Sequence, residues 1–140
     1  MPRRIHTSSN GRSIMDTFFG PAGADKKIFT HYWEVQLFAA SVAFQRGLKE
    51  DLPDKNGTDI DYDTFKSCGY WPGFLNCIAL VESGNPDHLL PEYEEHRISL
   101  FERYAESGLR ILDSEGFGEF SESMFARKLT TIVCVPGGVM

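Results

Sequence analysis

The sequence predicts an all-α fold, a compact single-domain bundle of about five helices with one short β segment near the C-terminus. Three observations carry this. Apolar residues recur at three- and four-residue spacing in successive segments. Glycine and proline punctuate the chain between those segments. Only residues 129–135, LTTIVCV, form a run rich in β-branched side chains. With 140 residues, the chain suits one domain and can bury a core without metal or disulfide staples. Its 11 Phe, 5 Tyr and 2 Trp supply bulky material for that core. The expected division is a basic arm over residues 1–12, a helical domain over 13–132 and a flexible tail over 133–140.

The first helix is short. Ser9 or Asn10 can cap it, and Ile14, Met15, Phe18 and Phe19 share one face. GPAGAD, residues 20–25, ends it. The second helix is expected at about 29–46. Trp33, Leu37, Ala40 and Phe44 follow helical spacing, and Val35, Phe38 and Val42 fill a neighbouring face. A helix apolar nearly all round is buried by other elements, and Ala39, Ala40 and Ala43 permit close approach. Gly47 suits the left-handed position that closes a helix, and Arg46 in the last turn complements the helix dipole.

Residues 49–63 form a long polar connection with Pro53 and an Asn56-Gly57 turn signal. Connections of that length are often functional or hold a short hairpin. Pro72 can open a third helix over roughly 72–83, with Phe74, Leu75, Ile78, Ala79 and Leu80 apolar and Gly84 as its stop. Asn85 caps a short helical turn begun by Pro86. A long helix runs from Pro91 to about Asp113, with Glu92, Glu94 and Glu95 in the first turn, where the dipole favours acids. Ile98, Phe101, Ala105, Leu109 and Leu112 make its stripe, widened by Tyr104, Gly108 and Ile111. Glycine inside a helix costs about 1 kcal/mol against alanine, so Gly108 marks a point of close packing. A last helix is expected at about 119–131, carrying Phe120, Met124, Phe125 and Leu129.

The net charge is −6, which argues against a protein that binds nucleic acid over its whole surface. The charge is uneven: residues 1–12 hold Arg3, Arg4 and Arg12 and no acid, leaving −9 on the remaining 128. Such an arm either contacts DNA phosphates or is simply solvated. Cys68, Cys77 and Cys134 are odd in number and form no C-x-x-C pair, so reduced thiols in a cytoplasm are expected. No apolar run reaches the roughly 20 residues needed to span a bilayer.

Candidate chemistry is sparse. Asp59, Asp61 and Asp63 alternate as in a calcium loop, but Thr64 and Tyr70 stand where that loop needs glycine and glutamate. In an extended segment the three carboxylates share a face, which repels itself without a cation. They are read as a solvated loop, with a metal-dependent enzyme or switch as an alternative. His6, His31, His88 and His96 fall in no metal-ligand frame. Cys77 sits among apolar neighbours and reads as a core thiol. Nucleophile, phosphate-loop and dinucleotide motifs are all missing, so no enzyme and no cofactor is expected. Gly84 gives residues 74–90 the outline of a helix-turn-helix, but its second half is acidic and unsuited to phosphate. Tyr70, Trp71 and Phe74, beside the polar connection, are either a partner contact or core.

Four segments carry a resemblance to a known family: the basic Pro2-Arg3-Arg4-Ile5 start, Phe38-Ala39-Ala40 with Phe44 and Arg46-Gly47, the stretch from Ala79-Leu80 to Leu89, and Tyr104-Ala105 to Gly108-Leu109. Over about 30–112 the chain resembles the DNA phosphorothioation-associated (Dnd system-associated) protein 4 family. It departs from that pattern after Gly47, where Leu48 replaces a basic pair, which weakens a role in phosphate contact. The acidic 59–63 segment is not expected of the family either. The resemblance implies a cytoplasmic accessory component of bacterial systems that mark DNA with backbone sulfur and act in phage defence. The expected function is therefore a non-catalytic adaptor that binds a larger protein of that system, with Tyr70, Trp71 and Phe74 as its contact. The alternative is a small DNA-binding regulator using Arg3, Arg4 and Arg12. A homodimer is another use for so apolar a second helix.

Overall fold

The computed structural model describes residues 3–18, 29 and 31–115. These hold β1 (Arg4–His6), α1 (Ser9–Thr17), α2 (Tyr32–Arg46), β2 (Asp59–Asp61), α3 (Trp71–Ser83) and α4 (Glu94–Ser114). Three 3₁₀ turns lie between them, at Tyr62–Ser67, Pro86–Leu89 and Pro91–Tyr93. The architecture is mostly α, as expected. The expected helix at 119–131, the β segment at 129–135, the tail at 133–140, and Phe19 with the 20–25 break lie outside the described residues.

The helix ends fall where the punctuation places them. Gly47 closes α2 with φ 70° and Gly84 closes α3 with φ 68°, left-handed conformations that a side chain would strain. Ser8, one residue before the expected caps, accepts the Gly11 N–H at the start of α1. The backbone N–H of His31 donates to Glu34 at the start of α2, 3.0 Å away. Asn85 accepts the Asp87 N–H and begins the Pro86 turn.

α4 is the axis of the core. One buried cluster joins Phe101, Tyr104 and Ala105 of α4 to Ala40 and Ala43 of α2, Leu75 and Ile78 of α3, and Ile5 of β1. A second joins Leu109 and Leu112 to Val35, Ala39 and Val42 of α2 and to Ile14, Met15 and Phe18 of α1. Gly108 lies where α2 crosses α4; a Cβ there would fall 1.8 Å from the Ala39 carbonyl oxygen, so only glycine fits. Tyr104 ties α3 to α4 by donating to Glu82 at 3.0 Å, and burial together with that carboxylate pushes its phenol up to about 12.

Two expectations are corrected. Residues 3–12 are not a free arm. β1 pairs antiparallel with β2, Ile5 opposite Ile60, and Ile5 is completely buried. The reason is the alternation of Arg4, Ile5 and His6: a strand turns the isoleucine into the core and the polar residues outward. The long connection thus holds a strand, as its length suggested, but it pairs with the chain start and not within a hairpin. The second correction concerns Trp71. It is fully buried, stacked on Phe65 at 4.5 Å and edge-on to Phe101 at 4.8 Å. It belongs to the core and is not available to a partner.

Candidate functional site

Pairing β1 with β2 brings the basic start of the chain onto the acidic 59–63 segment. Arg4 Nε donates to Asp59 Oδ1 at 2.7 Å, and its guanidinium lies 3.7 Å from Asp61. Arg3 donates to Glu94 of α4 at 2.5 Å and to Asp63 at 3.4 Å, and its guanidinium covers the Tyr62 ring at 3.9 Å. Lys66 also pairs with Asp63, at 3.1 Å. The cation that three aligned carboxylates require is therefore supplied by the chain's own arginines and Lys66. Among the described residues no three or more His, Cys, Asp or Glu side chains gather as a metal site.

Beside this pairing lies a groove of about 470 Å³ between β1 and the first half of α4. Arg3, Arg4 and His6 form one wall, Glu95, Ile98, Ser99 and Glu102 the other, and Lys55 stands beside them. Glu95, Ser99 and Glu102 share a face because they recur at four- and three-residue steps. Glu102 is only 5% exposed. Its Oε2 accepts the His6 backbone N–H at 2.6 Å and lies 3.3 Å from the His6 imidazole. Burial pushes this carboxyl above the ordinary glutamate value of 4.5, against the opposing pull of the His6 hydrogen bond and of Lys55. One turn on, the buried Glu106 accepts the Ser8 hydroxyl at 2.7 Å and pairs with Arg110 at 2.8 Å.

The groove is lined by three permanent cations, Arg3, Arg4 and Lys55, and two carboxylates, Glu95 and Glu102; Arg3 is paired with Glu94 and Asp63, and Arg4 with Asp59 and Asp61. The third arginine of the chain start, Arg12, stands apart on α1, exposed, 5.8 Å from the Tyr32 ring. Arg3, Arg4 and Arg12 are thus not gathered into one basic surface.

A second feature is the outer face of α3. Its inner face buries Trp71, Leu75, Ile78 and Ala79. The only charged residue of the helix, Glu82, is engaged by Lys49 and Tyr104. What remains outward is Pro72, Gly73, Asn76, Cys77, Leu80 and Val81, continued at the start of the helix by Tyr70. Tyr70 is 81% exposed and Val81 67%. Of the three expected partner contacts, Tyr70 lies on this surface, Phe74 is half-buried at its margin and Trp71 is beneath it. Cys77, expected in the core, is exposed in the middle of it.

Sequence reasoning missed Glu102, His6 and Lys55, and the outward exposure of Cys77, Leu80 and Val81. The signal for the α3 face was present: residues 70–81 contain no charge, yet a surface helix ordinarily has a charged side. Glu102 gave no such signal, because an acid beside an apolar stripe ordinarily points to water.

No helix among the described residues is long and apolar enough to cross a membrane. Comparison with curated proteins and with solved structures gives no match. The profile of the family described as DNA sulphur modification system-associated protein 4 matches residues 4–128.

Proposed function

The chain belongs to the DNA sulphur modification system-associated protein 4 family, and from that premise we propose that it serves its system as a non-catalytic accessory protein, docking a larger protein through the outer face of α3. The observation that carries this reading is the uncharged outward side of that helix. Exposed helices keep charge on their wet side for solubility; a side with none is matched to another apolar surface. The face offers Tyr70 as an aromatic anchor, Leu80 and Val81 as aliphatic contacts, and Gly73 as a place of close approach. Its complement is an uncharged, apolar patch on the partner, since an acid there would gain nothing and lose its water. Reduced Cys77 on this surface fits work in the cytoplasm.

Direct reading of DNA is less favoured. Arg3 and Arg4 are committed to carboxylates, so phosphate would have to displace Glu94 and Asp59 from them.

The test is affinity capture of the tagged chain from its native cytoplasm after nuclease treatment, beside a Val81→Asp variant. The expected result is a nuclease-resistant protein partner that the variant loses while its thermal unfolding changes little, because Val81 is exposed. Capture of the chain's own copies alone, with doubled mass in light scattering, would make α3 a homodimer surface. Binding that disappears with nuclease would overturn the reading in favour of a DNA-binding regulator.

A further inference from the structure

β1 is tied to α4 at both ends and not in its middle. The Arg3 guanidinium donates to Glu94 at one end, and the His6 N–H donates to Glu102 at the other. The groove lies between these two bridges, lined by Arg4 and by Glu95, Ile98 and Ser99. Hydrogen bonding along the strand alternates. The Arg3 C=O accepts the Tyr62 N–H and the Thr7 N–H donates to Thr58, so the odd-numbered residues bond across to β2. In an antiparallel ladder the peptide groups of Arg4 and His6 then face the opposite edge. His6 is covered there, its N–H by Glu102 and its C=O by Gln36 at 3.4 Å. The Arg4 N–H and C=O have no hydrogen-bond partner among the described residues. Its side chain does not shield them, being drawn over β2 to Asp59 and Asp61. An edge strand is ordinarily guarded by a charged side chain or a covering element; the peptide unit of Arg4 has neither.

We propose that the groove between β1 and α4 binds an extended, acidic segment of a protein partner by strand addition at Arg4. The central residue of the segment accepts the Arg4 N–H and donates its own N–H to the Arg4 C=O. Its carboxylate meets Lys55, the lining cation that has no ion pair among the described residues. Arg3 and Arg4 already have theirs. From Glu94 to Glu102 the helix rises about 12 Å, which admits about three residues of extended chain. A basic segment would meet three cations along the groove. A nucleic-acid phosphate could accept the Arg4 N–H but has no donor for the Arg4 C=O, whereas a peptide unit answers both. The site stands apart from the α3 face, so either can fail without the other.

The Arg4 amide gives the sharpest test, because strand addition changes its hydrogen bonding and leaves that of its neighbours in place. Amide hydrogen exchange is followed by NMR on the full chain, alone and with the blocked peptide acetyl-Val-Glu-Val-amide. In the chain alone, Arg4 should exchange fast, while Ile5, paired with Ile60, and His6, held by Glu102, are protected. The peptide should give saturable shifts at Arg4, His6 and Ser99 and slow Arg4 exchange by about tenfold, the scale of one hydrogen bond. The same peptide N-methylated at its glutamate cannot donate to the Arg4 C=O and should give no saturable shift. Glutamine in place of the glutamate should weaken binding by about threefold, the scale of one exposed charge pair. Lys55→Ala should weaken it by as much, and Lys55 is exposed, so the fold tolerates the change. An Arg4 amide already protected in the chain alone, or no saturable shift with the peptide, overturns the proposal. Binding of the N-methylated peptide as tight as that of its parent also overturns it, because the backbone pairing would then be idle. Saturable binding of inorganic phosphate at the same amides, abolished by Lys55→Ala, overturns it in favour of an anion site.

Discussion

Two residues, Gly108 and Glu102, decide more than their size suggests. At Gly108, alanine would gain about 1 kcal/mol of helix propensity but would drive a Cβ into the Ala39 carbonyl. Overpacking against backbone cannot relax by rotating a side chain, so the clash outweighs the gain. Gly108→Ala is expected to lose about 3 kcal/mol in chemical denaturation; an unchanged or stabilised protein would mean that α2 and α4 do not cross at this point. Glu102 works through its proton. Burial raises its pKa in the folded chain, so folding favours the protonated form. Its contribution is therefore complete below the ordinary glutamate value and is lost as pH rises through the raised one. Glu102→Gln keeps an acceptor for the His6 N–H and removes the titration. The variant should exceed the parent in stability by more at pH 7 than at pH 4, read from thermal unfolding at the two values. A constant difference across that range would show that the carboxyl is not perturbed.

At the scale of elements, closure and burial separate cleanly. α2 ends at Gly47, where a Cβ would meet no atom within 4 Å, so the cost of a side chain there is backbone strain alone. Gly47→Ala should lose about 1 kcal/mol, well short of Gly108→Ala, although both place the same methyl group on a helix glycine. α3 shows the opposite relation between pattern and environment. Its residues are apolar on both sides, which reads as a helix buried all round. The fold buries only the side carrying Trp71, Leu75, Ile78 and Ala79 and leaves Tyr70, Cys77, Leu80 and Val81 outside. A helix with an uncharged outer side, covered only on its inner one, is where the proposed partner would dock. The 70–74 stretch thus divides between surface and core, with Tyr70 exposed and Trp71 buried. Trp71 and Tyr70 are adjacent in sequence and differ only in which way the helix turns them.

For the whole molecule, the two most polar features of the sequence neutralise each other. Arg3 and Arg4 at the chain start and the three aspartates of the 59–63 segment look like separate binding elements, and folding makes them partners across β1 and β2. The start of the chain is consequently part of the body. Ile5→Ala should cost about 3 kcal/mol in chemical denaturation, because Ile5 is fully buried in the cluster around Phe101 and Trp71. An arm that only touches solvent or DNA would tolerate the change without loss. The same pairing builds the groove, since without β1 the Glu95–Ser99–Glu102 face of α4 would stand open to water.

The sequence by itself determined the helical class, the apolar stripe of α4, the closures at Gly47 and Gly84 and the tight crossing at Gly108. All of these follow from local rules: a period of 3.6, the backbone freedom of glycine, and the entropy that glycine costs a helix without a packing reason. The family could be read too, because its segments are runs of adjacent residues. Only the tertiary structure decided that three residues at the chain start pair with three residues 55 positions on, that Trp71 lies inside while Cys77 lies outside, and that Glu102 is buried against the backbone of His6. Strands of three residues carry too little pattern to announce themselves, and which charge meets which depends on the packing of α4 against everything else. Pairing and burial are properties of distance in space, and a linear pattern does not contain them.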